Sequence, residues 1–338
     1  MSDDLLGSGH LSDNRLGSGH LEVGDGHTLY WEEWGAADGV PVVCLHGGPG
    51  AGFNDSHKAL FDVTRHRVLF FDQRGCGRST PSGRLEHNTS AALVADIVTL
   101  MDHRGWETAH VAGGSWGSTL ALLFAIAHPE RVRSLLLWSV YLMRERDDAW
   151  VTLGGPRTHF PAEWETFVGP VPAELRSTGK DITHWYAERM RSADPDEALR
   201  HARAWVTWEL TLCSVNYDPS ALARVIEADG NTVNCALIET HFLGNSGFIP
   251  ENHILDSIGR IRHLPCRVVQ GRWDMCTPPY EAHDLAAAYG ENLQLLIVNA
   301  GHLRTEPELR TGLTAAAAAL TLGPVSNSPP VETPRKRI

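Results

Sequence analysis

The chain is poor in basic residues, in paired cysteines and in long apolar runs. Lys plus Arg number 29 against 41 Asp plus Glu, a formal net charge of −12. Charge of that sign repels phosphate backbones, so nucleic acid is not an expected partner. The six cysteines are Cys44, Cys76, Cys213, Cys235, Cys266 and Cys276, and none stands in a C-x-x-C pair. That leaves no zinc-ribbon or thioredoxin-like signature, and the thiols read as reduced residues of a cytoplasmic protein. The most apolar stretch, Ser134 to Met143, is far too short to span a bilayer. The N-terminus carries no apolar h-region of a signal peptide, so no membrane partner is expected. No G-x-x-x-x-G-K-[ST] phosphate loop occurs.

What is present is ordinary globular composition, with 42% hydrophobic and 21% charged residues over 338 positions, enough for a sizeable core. A small echo opens the chain: Leu6-Gly7-Ser8-Gly9-His10-Leu11 returns as Leu16-Gly17-Ser18-Gly19-His20-Leu21. Two copies do not build a solenoid, and residues 1–22 read as a flexible leader. The proline-containing, basic-ended stretch 324–338 reads as a disordered tail.

Between them, apolar runs at Val40 to Leu45, Val68 to Phe71, His110 to Ala112 and Ser134 to Val140 predict buried strands. Ser90 to Arg104 predicts an amphipathic helix with Leu93, Ile97, Leu100 and Met101 on one face. Trp116 to His128 predicts a second helix. Strand signals return at Arg267 to Gln270 and Gln294 to Val298, and an alanine-rich helix is expected over Leu313 to Leu320. Alternating strands and helices imply an α/β fold, a mostly parallel sheet covered on both faces. Residues 144–257 have no strand run and many aromatic, charged, helix-like segments. The expected division is a core of 23–143 and 258–323 interrupted by a helical cap at 144–257.

Gly113-Gly114-Ser115-Trp116-Gly117 fits G-x-S-x-G at a strand-to-helix junction. Such a turn is too tight for bulky neighbours, hence the flanking glycines. It presents the serine Oγ at a helix N-terminus, where peptide dipoles favour developing negative charge. A serine needs a base, and His302, in a loop after the last strand run, is the candidate among 18 histidines. Asp274, on the loop after the preceding strand, is the candidate to orient it. Taken singly, His302 reads equally as a surface-loop histidine and Asp274 better as a loop cap; the chain order Ser115, Asp274, His302 is that of α/β hydrolases. The turn His46-Gly47-Gly48-Pro49-Gly50 offers an oxyanion donor, Gly47 N–H, with Trp116 N–H as the second.

These motifs, with Asp72-Gln73-Arg74-Gly75-Cys76-Gly77-Arg78-Ser79 and Gly271-Arg272-Trp273-Asp274, resemble the proline iminopeptidases of the α/β-hydrolase fold, from about Gly24 to Leu322. The resemblance implies metal-free hydrolysis of the peptide bond after an N-terminal residue, typically proline, with no cofactor. It also implies two cap glutamates that hold the substrate's α-amino group, matched here by Glu209 beside Trp208, and by Glu239. For either glutamate alone, a solvated helix face is the competing reading. The chain departs from the family at Trp138, in Leu137 to Tyr141, and at Leu243, where an aromatic is expected; both bear on the preference for proline. Trp150, Trp164, Trp185 and Trp205 read mainly as packing between cap helices, and Cys276 as either pocket-lining or an inert thiol. The expected substrate is a small peptide or aminoacyl compound with a free N-terminus. An amidase or esterase acting on a small amine-bearing metabolite, and a receptor that keeps the hydrolase fold, are the competing functions.

Overall fold

The computed structural model describes residues 14–216 and 218–322. An eight-stranded sheet runs in the order β1-β2-β4-β3-β5-β6-β7-β8. Its strands are β1 (Arg15–Gly24), β2 (His27–Gly35), β3 (Val40–Leu45), β4 (His66–Phe71), β5 (Ala109–Ser115), β6 (Val132–Val140), β7 (Cys266–Gly271) and β8 (Leu293–Val298). The β1–β2 and β2–β4 pairs are antiparallel, and every later pair is parallel. The apolar runs at β3, β4, β5 and β6 are buried almost end to end, as strands covered on both faces must be.

Around the sheet lie α1 (Asp55–Lys58), α2 (Ser90–His103) and α3 (Trp116–Ala127). The chain between β6 and β7 has helices and no strand among its described residues: α4 (Glu145–Leu153), α5 (Pro156–His159), α6 (Pro161–Val168), α7 (Gly179–Met190), α8 (Pro195–Cys213), α9 (Pro219–Ala228), α10 (Thr232–Gly244) and α11 (His253–Ser257). Helices α12 (Pro279–Tyr289) and α13 (Pro307–Ala318) complete the fold. Thr89 caps α2 by accepting from Ala92 N–H, and its buried face is Leu93, Ile97, Leu100 and Met101. The inserted helices carry their own apolar cluster around Trp164, Phe167, Tyr186, Trp205, Trp208 and Leu212. No helix among the described residues is long and apolar enough to cross a membrane.

Two expectations are corrected. Residues 15–22 are not a flexible leader but form most of β1, paired with β2 at Ser18↔Glu32 and Leu21↔Leu29. Alternating burial marks it as an edge strand, and an ideal Cβ at Gly17 or Gly19 would lie only 3.3–3.5 Å from the Trp31 indole, so these glycines let the ring lie across the strand. The final helix begins at Pro307, where proline has the φ of a first helical turn, and ends at Ala318 rather than running from Leu313 to Leu320. Strand β2 and helix α12 carry no sequence signal strong enough to be expected. The first copy of the echo, Leu6 to Leu11, and the stretch 324–338 lie outside the described residues.

Candidate active site

Ser115 ends β5 and caps α3 with φ 56° and ψ −130°. Few non-glycine residues adopt such a backbone, and here it is enforced by packing. A Cβ at Gly113 would lie 2.2 Å from Gly117 O, and one at Gly117 2.4 Å from Leu45 O. The glycines of G-x-S-x-G are therefore required by close backbone approach on both sides of the serine. Trp138 is buried in β6 and does not line the cavity beside Ser115; a Cβ at Gly114 would overlap its indole at 1.9 Å. Its bearing on the site is through the turn it packs under.

Gly47 follows β3 and faces the same serine. A Cβ there would sit 3.3 Å from Ser115 Cβ and 3.8 Å from Ser115 Oγ. Gln73 ties this turn to the elbow. Its backbone N–H donates to His46 Nε2 at 3.0 Å, and its side-chain amide to His46 O at 2.9 Å. Its Oε1 accepts the Trp116 indole N–H at 2.9 Å. Asp72 and Arg78 brace the adjoining segment: Asp72 Oδ1 accepts from Phe53 N–H, and Arg78 donates to Asp72 and to Phe53 O. The D-Q-R-G-C-G-R-S motif thus braces the turn that carries Gly47.

His302 Nδ1 lies 2.9 Å from Asp274 Oδ2 and 3.0 Å from Oδ1. Asp274 is fully buried and further fixed by Thr277 N–H at 2.8 Å, Cys276 N–H at 3.0 Å and Thr277 Oγ1–H at 3.0 Å. Burial opposes an imidazolium at His302, but the Asp274 and Glu209 carboxylates outweigh it and raise its pKa to about 9. The histidine's own N–H donates to Cys213 O at the end of α8, which docks the loop on the helix that carries Glu209.

Glu209 (α8) and Glu239 (α10) are brought together. Removal from water pushes both up, and the Glu209 carboxylate pushes Glu239 further, so each disfavours the other's charge. Trp205 Nε1–H donates to Glu239 Oε2 at 2.9 Å. Trp208 is buried, with its indole N–H donated to Val151 O. The glutamates, Trp205, Trp208 and Ser115 line one cavity, with Leu243, Cys276 and Thr277 also on its wall. Ser115 thus shares a chamber with the loop that carries Asp274. Cys276 lines it and also meets Cys213, Sγ to Sγ 3.2 Å.

Among the described residues, one group has donor types and spacing for a metal ion: Asp274, Cys276 and His302, with ligand atoms within 4.8 Å of one another. Its Asp274 and His302 atoms already bond each other, which suits orientation of an imidazole at least as well as metal ligation. Sequence reasoning did not single out Gln73, Gln270, Thr277 or Thr183. Gln270 donates to Asp274 Oδ2 at 3.3 Å and to Thr277 O at 2.8 Å, and accepts Val140 N–H at 2.9 Å.

The family described as alpha/beta hydrolase fold matches residues 40–304. A proline iminopeptidase of Arabidopsis thaliana is 40% identical over 297 residues, covering 88% of this chain and 77% of that protein. One of Neisseria gonorrhoeae is 39% identical over 298 residues, covering 88% and 93%. Among solved structures, an esterase of Exiguobacterium antarcticum aligns with TM-score 0.62 at 17% identity, over 89% of this chain and 98% of that one, a likeness of fold alone. On this likeness over most of both sequences, the chain belongs to the proline iminopeptidase family of α/β hydrolases.

Proposed function

We propose that the protein is a serine aminopeptidase that releases an N-terminal residue, proline first among them, from small peptides or aminoacyl compounds. The observation that carries this reading is one chamber shared by Ser115 and two neighbouring carboxyls, half-buried Glu209 and buried Glu239. A desolvated ammonium is costly unless it meets buried acceptors, and a buried carboxyl pair is costly unless it meets a cation. The two needs cancel when a free α-amino group enters. Binding there sets the scissile carbonyl over Ser115, and an acylated residue offers the pair no ammonium, so internal peptide bonds are disfavoured.

His302 takes the Ser115 proton as Oγ attacks the carbonyl. The backbone N–H groups of Gly47 and Trp116 hold the oxyanion. His302 then protonates the leaving amine, and water activated by the same imidazole releases the acyl group. Asp274 keeps the imidazole in the useful tautomer and stabilises its cation. The substrate's positive charge near Glu209 offsets part of the field that raises His302, so binding makes the imidazole a readier base. Helices α4 to α10 act as the cap that closes the chamber. Six free thiols fit a reducing, cytoplasmic setting.

The test is hydrolysis of aminoacyl-naphthylamides, with and without an N-acetyl block, by the wild type and Ser115→Ala. Rapid release from prolyl-naphthylamide, lost on acetylation and in the variant, is expected. Ser115-dependent hydrolysis that ignores the block would instead identify an amidase or esterase.

A further inference from the structure

The chamber has a third acidic group on its wall. Asp148, on α4, lines it beside Tyr141, Val151, Thr183 and Leu243. Tyr141 donates its phenolic O–H to Asp148 Oδ1. The other oxygen, Oδ2, accepts no hydrogen bond and forms no ion pair among the described residues, and it is not sealed within protein. It is an open acceptor on a largely apolar wall. Burial, with the neighbouring Asp147 and Glu251 charges, pushes the carboxyl up to about 7. Such a group is left poorly solvated by a proline ring, which offers it no donor.

A second cavity, of about 390 Å³, shares Asp148, Thr183 and Leu243 with the first. Its other charged lining groups are Glu145, Glu251 and Lys180, so three carboxylates stand against one ammonium. Lys180 Nζ donates to Ser246 Oγ at 3.2 Å rather than pairing with Asp148. At the shared wall stands Leu243, where the family resemblance calls for an aromatic; the smaller side chain leaves more of that wall open.

We infer that Asp148 is a specificity-determining residue and that the pocket takes an N-terminal residue with a cationic side chain, lysine or arginine, besides proline. This rests on the aminopeptidase reading above. With the α-ammonium at Glu209 and Glu239, a long stem lies along Val151 and Leu243, and its charged head meets Asp148 Oδ2 with Glu145 and Glu251 beyond. Acids at both ends of the chamber suit a substrate with two positive charges. Neutral side chains of the same length bury the same stem but leave Asp148 unpaired.

The experiment compares kcat/KM for lysyl-, arginyl-, norleucyl- and prolyl-naphthylamide in the wild type, Asp148→Asn and Tyr141→Phe. Asp148→Asn keeps an acceptor for the Tyr141 hydroxyl and removes only the charge. We expect wild-type release of lysine and arginine to exceed that of norleucine. In Asp148→Asn the lysyl-to-prolyl ratio should fall at least about tenfold, the scale of one lost charge contact in a pocket. Tyr141→Phe frees Oδ1 and should preserve or raise that ratio. Lysyl and prolyl rates that fall together in Asp148→Asn, or a wild type that releases proline but neither basic residue, would overturn the inference and leave the aminopeptidase reading intact. Loss of N-acetyl discrimination on every substrate would instead overturn the aminopeptidase reading itself.

Discussion

Gln73 Oε1 accepts the indole N–H of Trp116 at 2.9 Å, while the same side chain donates to His46 O at 2.9 Å. One amide thereby couples the residue that follows the nucleophile to the residue that precedes Gly47. The two proposed oxyanion donors sit on separate segments, so their spacing depends on this bridge. Gln73→Ala should lower kcat about tenfold with little change in KM, a fraction of what losing a donor outright costs. Steady-state kinetics on prolyl-naphthylamide would check it; an unchanged kcat would mean the backbone alone holds the turn.

In the proposed mechanism the His302–Asp274 pair sets the pH profile. The base must be neutral, and its pKa is raised to about 9, so kcat/KM should climb as pH rises toward 9. Removing the carboxylate in Asp274→Asn removes the main raising influence. The acidic limb should then move to lower pH while kcat falls by about 10⁴ from the lost tautomer control. A limb that stays near 9 in the variant would assign that ionisation elsewhere.

The same ionisation is linked to folding. The folded pKa lies above the ordinary value of 6.5, so the protonated pair's stabilisation is fully present below about 6.5 and is lost as pH rises through 9. Thermal melts of the wild type should show a component of Tm that declines over that window. Asp274→Asn should lack this component.

Glu239→Gln and Glu209→Gln test the amine clamp. Either change leaves one buried carboxyl and removes half the ammonium's partners. We expect kcat/KM for free aminoacyl substrates to fall about a hundredfold, the scale of breaking a buried charge-assisted contact. Labelling of Ser115 by a fluorophosphonate should persist, since nucleophile and base are untouched. Loss of labelling together with activity would point to a structural role for the pair.

Arg74 and Asp96 form a buried bidentate pair, both bonds 2.8 Å, between the motif after β4 and helix α2. Arg74→Ala would strand a buried carboxylate and should destabilise the fold by about 3–5 kcal/mol. Urea titration would measure it. A loss below about 1 kcal/mol would mean that water or rearrangement solvates Asp96.

What could be read from the sequence alone was what local chemistry dictates. The elbow was visible as a pattern around Ser115, with Gly113 pressed on Gly117 O, although Gly114 and Gly117 are demanded by Trp138 and Leu45 far along the chain. The runs at β3 to β7 were visible because strands buried on both faces must be apolar almost throughout. β1 escaped because an edge strand needs only alternate packing and gains its hydrogen bonds from β2, so a glycine-rich stretch suffices. Glu209 and Glu239 lie on different helices, and neither is distinguishable from a solvated glutamate until α8 and α10 pack and burial raises both. Gln73, Thr277 and Asp148 likewise owe their roles to partners far along the chain: His46 and Trp116, the Asp274–His302 loop, and the wall that Asp148 shares with Thr183 and Leu243. Residue identity determined which groups could do chemistry; tertiary packing, by removing water and fixing neighbours, decided which of them meet and with what charge.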